Sequence, residues 1–289
     1  MKRLSSFFES IALLIVRVVP YVILSRILNL LPSSLLARLI SSFEMLNLYT
    51  VTLCDTTFLI ESGPRDDHYL HLAKNRLRGW ESEALKIWAT EVRNAEIAID
   101  VGAYFGIYSI VAAKLGCPKV LAIEPNSSNF LQLQRNLSLN ELSGSVQTFR
   151  VAVGAEAKTV SVITPNGRPN SSGSKISHPS PIGALGTWVI ESEVMMVKLD
   201  SLLANESARS SVIKIDAEGY EMFILQGATK TLSLIGPSLL IELLDSEKKN
   251  QADKFLKDFG YSEGIPIESS GVPSNYFYKK LVPITSPTD

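Results

Sequence analysis

The chain has 289 residues, 46% hydrophobic and 20% charged, so it can bury a sizeable core as one large domain or one domain with an appendage. Its 28 Lys and Arg nearly balance 29 Asp and Glu for a net charge of −1, and there is no dense basic run with interleaved aromatics; nucleic acid is therefore not an expected partner. Two cysteines in unrelated segments, Cys54 and Cys117, exclude a disulfide framework or a zinc site and point to a reducing, cytoplasmic setting.

Residues 1–48 form an N-terminal amphipathic segment rich in Leu, Ile and Val. At about 100° per residue, Lys2, Ser6, Glu9, Ser10 and Arg17 share one arc, and Leu4, Phe7, Ile11, Leu14, Ile15 and Val18 the opposite one. Pro20 interrupts this helix, and Pro32 opens another with Leu35, Leu36, Leu39, Ile40 and Phe43 on one face. A spanning helix needs ~20 apolar residues, and Glu9, Arg17, Pro20 and Arg26 break the run. A signal peptide is disfavoured because Arg17 splits the apolar region and no small-residue cleavage site follows. Two placements stay open. The helices pack on the main domain or on a second copy, or they lie peripherally on a membrane with Arg17, Arg26 and Arg38 near anionic head groups.

Residues 49–95 lead into the core. Asn47–Glu61 alternates and breaks at Asp55, which predicts a β-hairpin; a polar connection and a helix over Trp80–Val92 follow. From 96 to 289 strands and helices alternate. Strands are expected at Ile97–Val101, Lys119–Ile123, Val146–Val153, Thr159–Ile163, Met195–Leu199, Val212–Asp216 and Ser238–Leu243. Helices are expected at Tyr104–Leu115, Ser127–Leu139, Met222–Leu232 and Gln251–Phe259, with a final antiparallel pair at Tyr261–Ile267 and Tyr276–Leu281. This pattern is α/β, a mainly parallel sheet with helices on both faces. Thr164–Thr187 is rich in Gly, Pro and Ser with no period, a long loop of the functional or disordered kind.

The stretch "IAIDVGAYFGIYSIVAAKLG" carries a bare backbone turn at the end of its strand. Gly102 permits the sharp turn, Gly106 lets the next helix pack close, and the helix N-terminus adds a partial positive charge. Glu124 ends the next strand, where a carboxylate accepts both hydroxyls of a ribose. The dinucleotide pattern G-x-G-x-x-G is incomplete, because Tyr104 stands where its second glycine belongs, and Asp100 would repel a pyrophosphate. S-adenosyl-L-methionine carries an ammonium and a sulfonium. A carboxylate at ~4 Å attracts either by about 4 kcal/mol at an effective dielectric of ~20, before desolvation. The charges therefore favour the methyl donor.

The segments "DVGAYFGIYSIVAAK", "VLAIEPNSSNFLQLQRNLSLN", "FRVAVG" and "VIKIDAEGYEMFILQGA" resemble the FkbM family of S-adenosylmethionine-dependent methyltransferases over roughly Ile97–Glu242, with "KIDAEGYE" the most specific piece. The resemblance implies a Rossmann-like class I methyltransferase fold with a seven-stranded sheet and an antiparallel last strand. It implies O-methylation of a hydroxyl on a sugar, glycolipid or secondary metabolite. It also implies that Asp100, Gly102, Ala103 and Gly106 hold the methionine end of the cofactor, Glu124 the ribose, and Val151 and Ala152 the adenine. The family usually has Asn where this chain has Tyr104, which either removes a polar cofactor contact or supplies a ring over the site.

Asp216 and Glu218 stand at the carboxyl end of the "VIKID" strand as candidate catalytic bases, with His178 a third. Asp216 could instead hold the cofactor amine or cap a helix, Glu218 could fix the turn, and His178 could be a plain solvated residue. Glu242 either reaches the cleft or pairs with a buried cation such as Lys214. No close carboxylate set with an Asn or His partner stands out, so no metal is assigned. The rival readings are a non-catalytic interaction module of the same fold and, further off, a nicotinamide-dinucleotide enzyme.

Overall fold

The structure is a computed structural model that describes residues 48–61, 81–165, 173–177, 188–206, 208, 210–267 and 275–281. The expected helices of residues 1–48 and His178 fall outside the described residues. Among the described residues no helix is long and apolar enough to cross a membrane.

The hairpin pairs β1 (Leu48–Leu53) with β2 (Thr56–Glu61) and turns at Cys54 and Asp55, both with positive φ. Helix α1 (Ser82–Val92) leads to β3 (Ile97–Val101), α2 (Ile107–Lys114), β4 (Lys119–Ile123), α3 (Ser127–Leu139) and β5 (Val146–Phe149). A smaller β unit follows, of β6 (Ala152–Val153), β7 (Lys158–Pro165), β8 (Lys175–Ile176) and β9 (Trp188–Val197). The chain returns through α4 (Leu199–Leu202), β10 (Ser211–Ile215), α5 (Glu221–Gln226), a π-helical turn at Thr231–Ile235, β11 (Ser238–Glu242), α6 (Ser246–Lys257), β12 (Ile265–Ile267) and β13 (Asn275–Tyr278).

The main sheet has seven strands in the order β12-β13-β11-β10-β3-β4-β5, parallel except that β13 runs against both neighbours. This is the Rossmann-like α/β sheet expected, antiparallel last strand included. Every residue of β3 is buried, as a central strand covered on both faces must be. Alternation sorts the two faces. Ala98, Val212 and Leu240 join a core with α1, α2, α3 and the hairpin, whereas Ile99, Ile213 and Ile241 join a second core with α4, α5 and α6. The hairpin edge is tied down by asparagines of α3 and its C-cap. Leu59 N donates to Asn140 Oδ1 at 2.9 Å, and Glu61 N donates to Asn136 Oδ1 at 2.8 Å. From β3 the chain builds outward to β4 and β5, then crosses to β10 and β11 on the other side. That reversal opens a crevice beyond the carboxyl ends of β3 and β10, the binding position of open α/β sheets.

Several boundaries differ from the pattern for physical reasons. Left-handed backbone at Tyr104 (φ 51) and Gly106 (φ 92) keeps the turn open, so α2 starts at Ile107 rather than Tyr104. The strand expected over Val146–Val153 is two, because the chain leaves the main sheet after Phe149 and β6 pairs with β9 in a separate four-stranded sheet, order β6-β9-β7-β8. Residues Met222–Leu232 do not make one helix. The α-helix stops at Gln226, and a Cβ at Gly227 would lie 2.0 Å from Gly154 O, so the backbone there runs against the β unit. Helix α6 begins at Ser246 rather than Gln251 because the Asp245 side chain accepts from Lys248 N and caps it.

Gly102 joins the sheet's two halves. A Cβ there would sit 1.7 Å from the Asp216 carbonyl oxygen, and φ is +81°. Overpacking and left-handed strain each cost about 1–3 kcal/mol. Gly102→Ala is expected to lose roughly 3 kcal/mol or more of stability in urea unfolding, while Gly116→Ala, which has open space, loses only the strain component.

Candidate active site

Backbone contacts set the turn after β3. Gly102 N and Ala103 N both donate to Ile123 O, at 2.9 and 3.0 Å, and Asp216 N donates to Val101 O at 3.0 Å. Glu124, at the end of β4, braces the same turn: Oε2 accepts from Tyr104 N at 2.8 Å and Oε1 from Asn126 N at 2.9 Å. The Asn129 side chain is a third donor to this carboxylate, and Glu124 lines the cleft. Burial pushes its carboxyl up to about 7 against those backbone donors.

Behind the turn lies a buried charge cluster. Lys214 is 3% exposed and stands in register beside Asp100 on the next strand. Its Nζ is 2.7 Å from Asp216 Oδ2 and 4.5 Å from the Tyr108 ring centroid. Burial alone would discharge this ammonium, but Asp216, Glu81 and Asp100 outweigh it and keep the pKa raised. Asp216 responds in kind. Burial works to raise it, but the Lys214 ammonium and a hydrogen bond from Glu242 hold it below the usual carboxylate range. Glu242 keeps its proton, pushed up to about 9 by burial and by the neighbouring Asp216. Glu81 is 4% exposed and pushed up to about 7, by burial first. Four acids thus face one lysine.

The mouth of the cleft is different. Glu218 (φ 51) and Gly219 (φ 101) form a left-handed turn after β10. Glu221, at the start of α5, holds that turn: its Oε1 accepts from Gly219 N at 2.8 Å and Ala217 N at 3.2 Å. Glu218 is therefore not needed as the turn's brace. Its carboxyl lines the cleft, pushed up to about 7 by partial burial and by Asp216. Lys175 of β8 also lines the mouth, its Nζ 4.2 Å from the Trp188 ring centroid.

The structure gathers Gly102, Ala103, Tyr104, Glu124, Val151, Ala152, Asp216 and Glu218 around one cleft. Two expected ligands are elsewhere. Asp100 is 1% exposed and does not line the cleft; its Oδ2 accepts from Ser109 N at 3.1 Å and Ser109 Oγ at 2.7 Å. It anchors the start of α2. Gly106 also stays out of the lining and makes room for Leu133, whose Cδ1 would be 2.4 Å from a Cβ. Tyr104 packs its ring on Phe105, centroids 4.0 Å apart. Its left-handed φ is one that asparagine tolerates more readily, the residue the resemblance leads one to expect there. Glu242 lines the cleft, and its partner is the Asp216 carboxylate rather than the Lys214 ammonium.

Sequence reasoning missed Glu81, Tyr108, Lys175 and Glu221. A glutamate before a helix reads as a solvated start, and nothing in the pattern turns it inward. Glu221 was findable, as an acid in a helix's first turn reaching back to free amides. Asp216, Glu218 and Glu242 also place an oxygen each within 4.8 Å of one another, close enough to share an ion. The Lys214 ammonium on Asp216 and the proton on Glu242 already compensate that set.

Residues 100–263 match the model of the methyltransferase FkbM domain. Over 194 residues the chain is 28% identical to the hexuronic acid methyltransferase AglP of Haloferax volcanii, covering 65% of this chain and 72% of that protein. Over 162 residues it is 25% identical to Methyltransferase 1 of Beauveria bassiana, covering 52% of this chain and 65% of that protein, just under two thirds. Among solved structures, methyltransferase FkbM of Methylobacillus flagellatus KT aligns with a TM-score of 0.46 at 16% identity, covering 64% of this chain and 44% of that one. A SAM-dependent methyltransferase of Agrobacterium tumefaciens aligns at 0.45 and 10% identity, covering 81% and 70%.

Replacing Lys214 by Met should strand the buried acids and cost about 3–5 kcal/mol at pH 8 in urea unfolding. A carboxyl whose folded pKa is raised above its unfolded value stabilises below the unfolded value and loses that stability as pH rises. Losing the ammonium raises Glu81 and Asp100 further and removes the attraction that holds Asp216 low, so the deficit of Lys214→Met should shrink markedly at pH 5.

Proposed function

The chain belongs to the FkbM methyltransferase family, and from that premise we propose that it transfers a methyl group from S-adenosyl-L-methionine to a hydroxyl oxygen of a sugar, glycolipid or secondary metabolite. The observation that carries this reading is the composition of the cleft at the carboxyl ends of β3 and β10, where five acids, Glu81, Glu124, Asp216, Glu218 and Glu242, line it against two lysines, Lys175 and Lys214, among the described residues. A cationic ligand is what such a site is short of. The relative named as a hexuronic acid methyltransferase supports a sugar as the acceptor class.

The residues present fit the donor. Glu124 offers its carboxylate to ribose hydroxyls at the end of β4, and Val151 and Ala152 offer apolar surface for adenine. The Gly102 turn leaves the backbone bare where a side chain would intrude. When bound, the donor supplies an electrophilic methyl on a positively charged sulfur.

Glu218 is the general base in this proposal. It is the acid at the mouth, whereas Asp216 is held charged by Lys214 and is a weak base for that reason. A Glu218 oxygen would take the hydroxyl proton as the acceptor oxygen accepts the methyl group from the donor, which would leave as the neutral sulfide. A carboxyl at about 7 is half ionised near neutral pH, close to the best compromise for such a transfer. Lys175 stands at the mouth to meet an acceptor oxygen or anion. Orientation of the acceptor supplies a large further share of the rate, on the order of 7–11 kcal/mol in well-aligned cases.

The test is transfer of labelled methyl from the donor to a panel of glycans and uronic acids. Glu218→Gln should lower kcat at saturating donor by roughly 10²–10⁴-fold and flatten the rise in kcat between pH 6 and 8, with donor Kd within about twofold of wild type. Equal kcat and an unchanged pH profile would remove Glu218 from this role.

A further inference from the structure

We propose that Glu81 and Tyr108 form the pocket for the α-ammonium group of the donor's methionine end. The proposal rests on the methyl-donor reading above and goes beyond it by moving a binding function away from the glycine turn. The turn's own acid does not line the cleft: Asp100 Oδ2 accepts from Ser109, and although Oδ1 has no partner among the described residues, the side chain lies behind the turn. The methionine end must then find its anion elsewhere.

Glu81 has the required features. It occupies the N-cap position of α1 but makes no capping hydrogen bond to its own helix. Its backbone is left-handed (φ 55, ψ 14), an unfavourable conformation for a residue of this type. The side chain is turned into the cleft and 4% exposed, and Oε2 has no hydrogen-bond partner among the described residues. Tyr108, on the first turn of α2, is 5% exposed and lines the same cleft; its buried hydroxyl likewise has no properly formed hydrogen bond among the described residues. The two groups are neighbours, Tyr108 drawing Glu81 down and Glu81 pushing Tyr108 up, and Glu81 Oε2 still lacks a partner among the described residues. Buried polar atoms in that state are costly and rarely left so. An ammonium brings three donors, which suits a carboxylate oxygen and a phenol oxygen together.

The rest of the frame holds these atoms in place. The Trp88 Nε1 donates to Tyr108 O at 3.0 Å, and its ring meets the Tyr108 ring edge-on with centroids 5.6 Å apart. Helix α1 thus fixes both Glu81 at its start and Tyr108 through its middle. Glu81 and Tyr108 line the same cleft as Glu124 and Val151, the residues assigned to ribose and adenine. Acceptor chemistry belongs at the mouth, by Glu218 and Lys175.

Binding calorimetry with two probes tests this. S-adenosylhomocysteine carries the ammonium; 5′-deoxy-5′-methylthioadenosine keeps adenine, ribose and sulfur but lacks the amino-acid end. Glu81→Gln should weaken the first by at least about tenfold and leave the second within about twofold. Tyr108→Phe should weaken the first by a smaller factor, again sparing the second. Thermal melts identify any variant that misfolds, and the Tyr108→Phe result then decides. Equal loss for both probes, or no loss for either, overturns the assignment while leaving the methyl-donor reading intact. Failure of wild-type protein to bind either probe overturns both.

Discussion

One buried ammonium organises this molecule's working end. Lys214 lies inside an otherwise apolar strand, and strand register alone sets it beside Asp100 and two residues short of Asp216. An isolated charge there would cost many kcal/mol. Asp216, Glu81 and Asp100 offset that cost, and a protonated Glu242 joins the same corner through Asp216. Burial first, and neighbouring acids second, keep protons on Glu81 and Glu242 that would ordinarily be ionised. A packing requirement of the sheet thus sets the protonation of the cleft.

Geometry around that charge is maintained by strain that the fold can bear. Tyr104, Glu81 and Glu218 all take left-handed backbone at the cleft, and Gly102 takes it where no other residue fits. Each is held by specific donors and acceptors: Glu124 for the Tyr104 amide, Glu221 for the turn at Glu218, and packing of α1 for Glu81. The carboxylates of Glu124 and Glu221 thus work on backbone, which frees Glu218 and Glu81 to face a ligand.

Much of this was legible in advance. The period-2 apolar runs and the helices between them announce the sheet, and the strands Ile97–Val101 and Lys119–Ile123 have the ends that the pattern predicts. Glycines after a strand announce the turn, and Glu124 announces itself by ending the next strand. In the four-stranded unit the strands at Thr159–Ile163 and Met195–Leu199 were legible in part, but their separate sheet was not, because β6 and β8 are two residues long and β9 is mostly exposed or half-exposed, with no clean alternation. Asp100 was misplaced for a reason internal to side-chain geometry: an acid near a turn can face the ligand or the helix behind it, and only the Ser109 contact decides. Glu81 was invisible because its inward direction depends on a left-handed φ that sequence does not encode for glutamate.

The account stands or falls on whether the cleft trades protons for positive charge. Calorimetry of S-adenosyl-L-methionine binding at pH 7, repeated in buffers of different ionisation enthalpy, counts the protons released. The account predicts a net release of at least about half a proton per site, larger for the sulfonium donor than for its neutral sulfide product, because acids near pKa 7 ionise beside an arriving cation. Binding with no proton release, or with uptake, would contradict it.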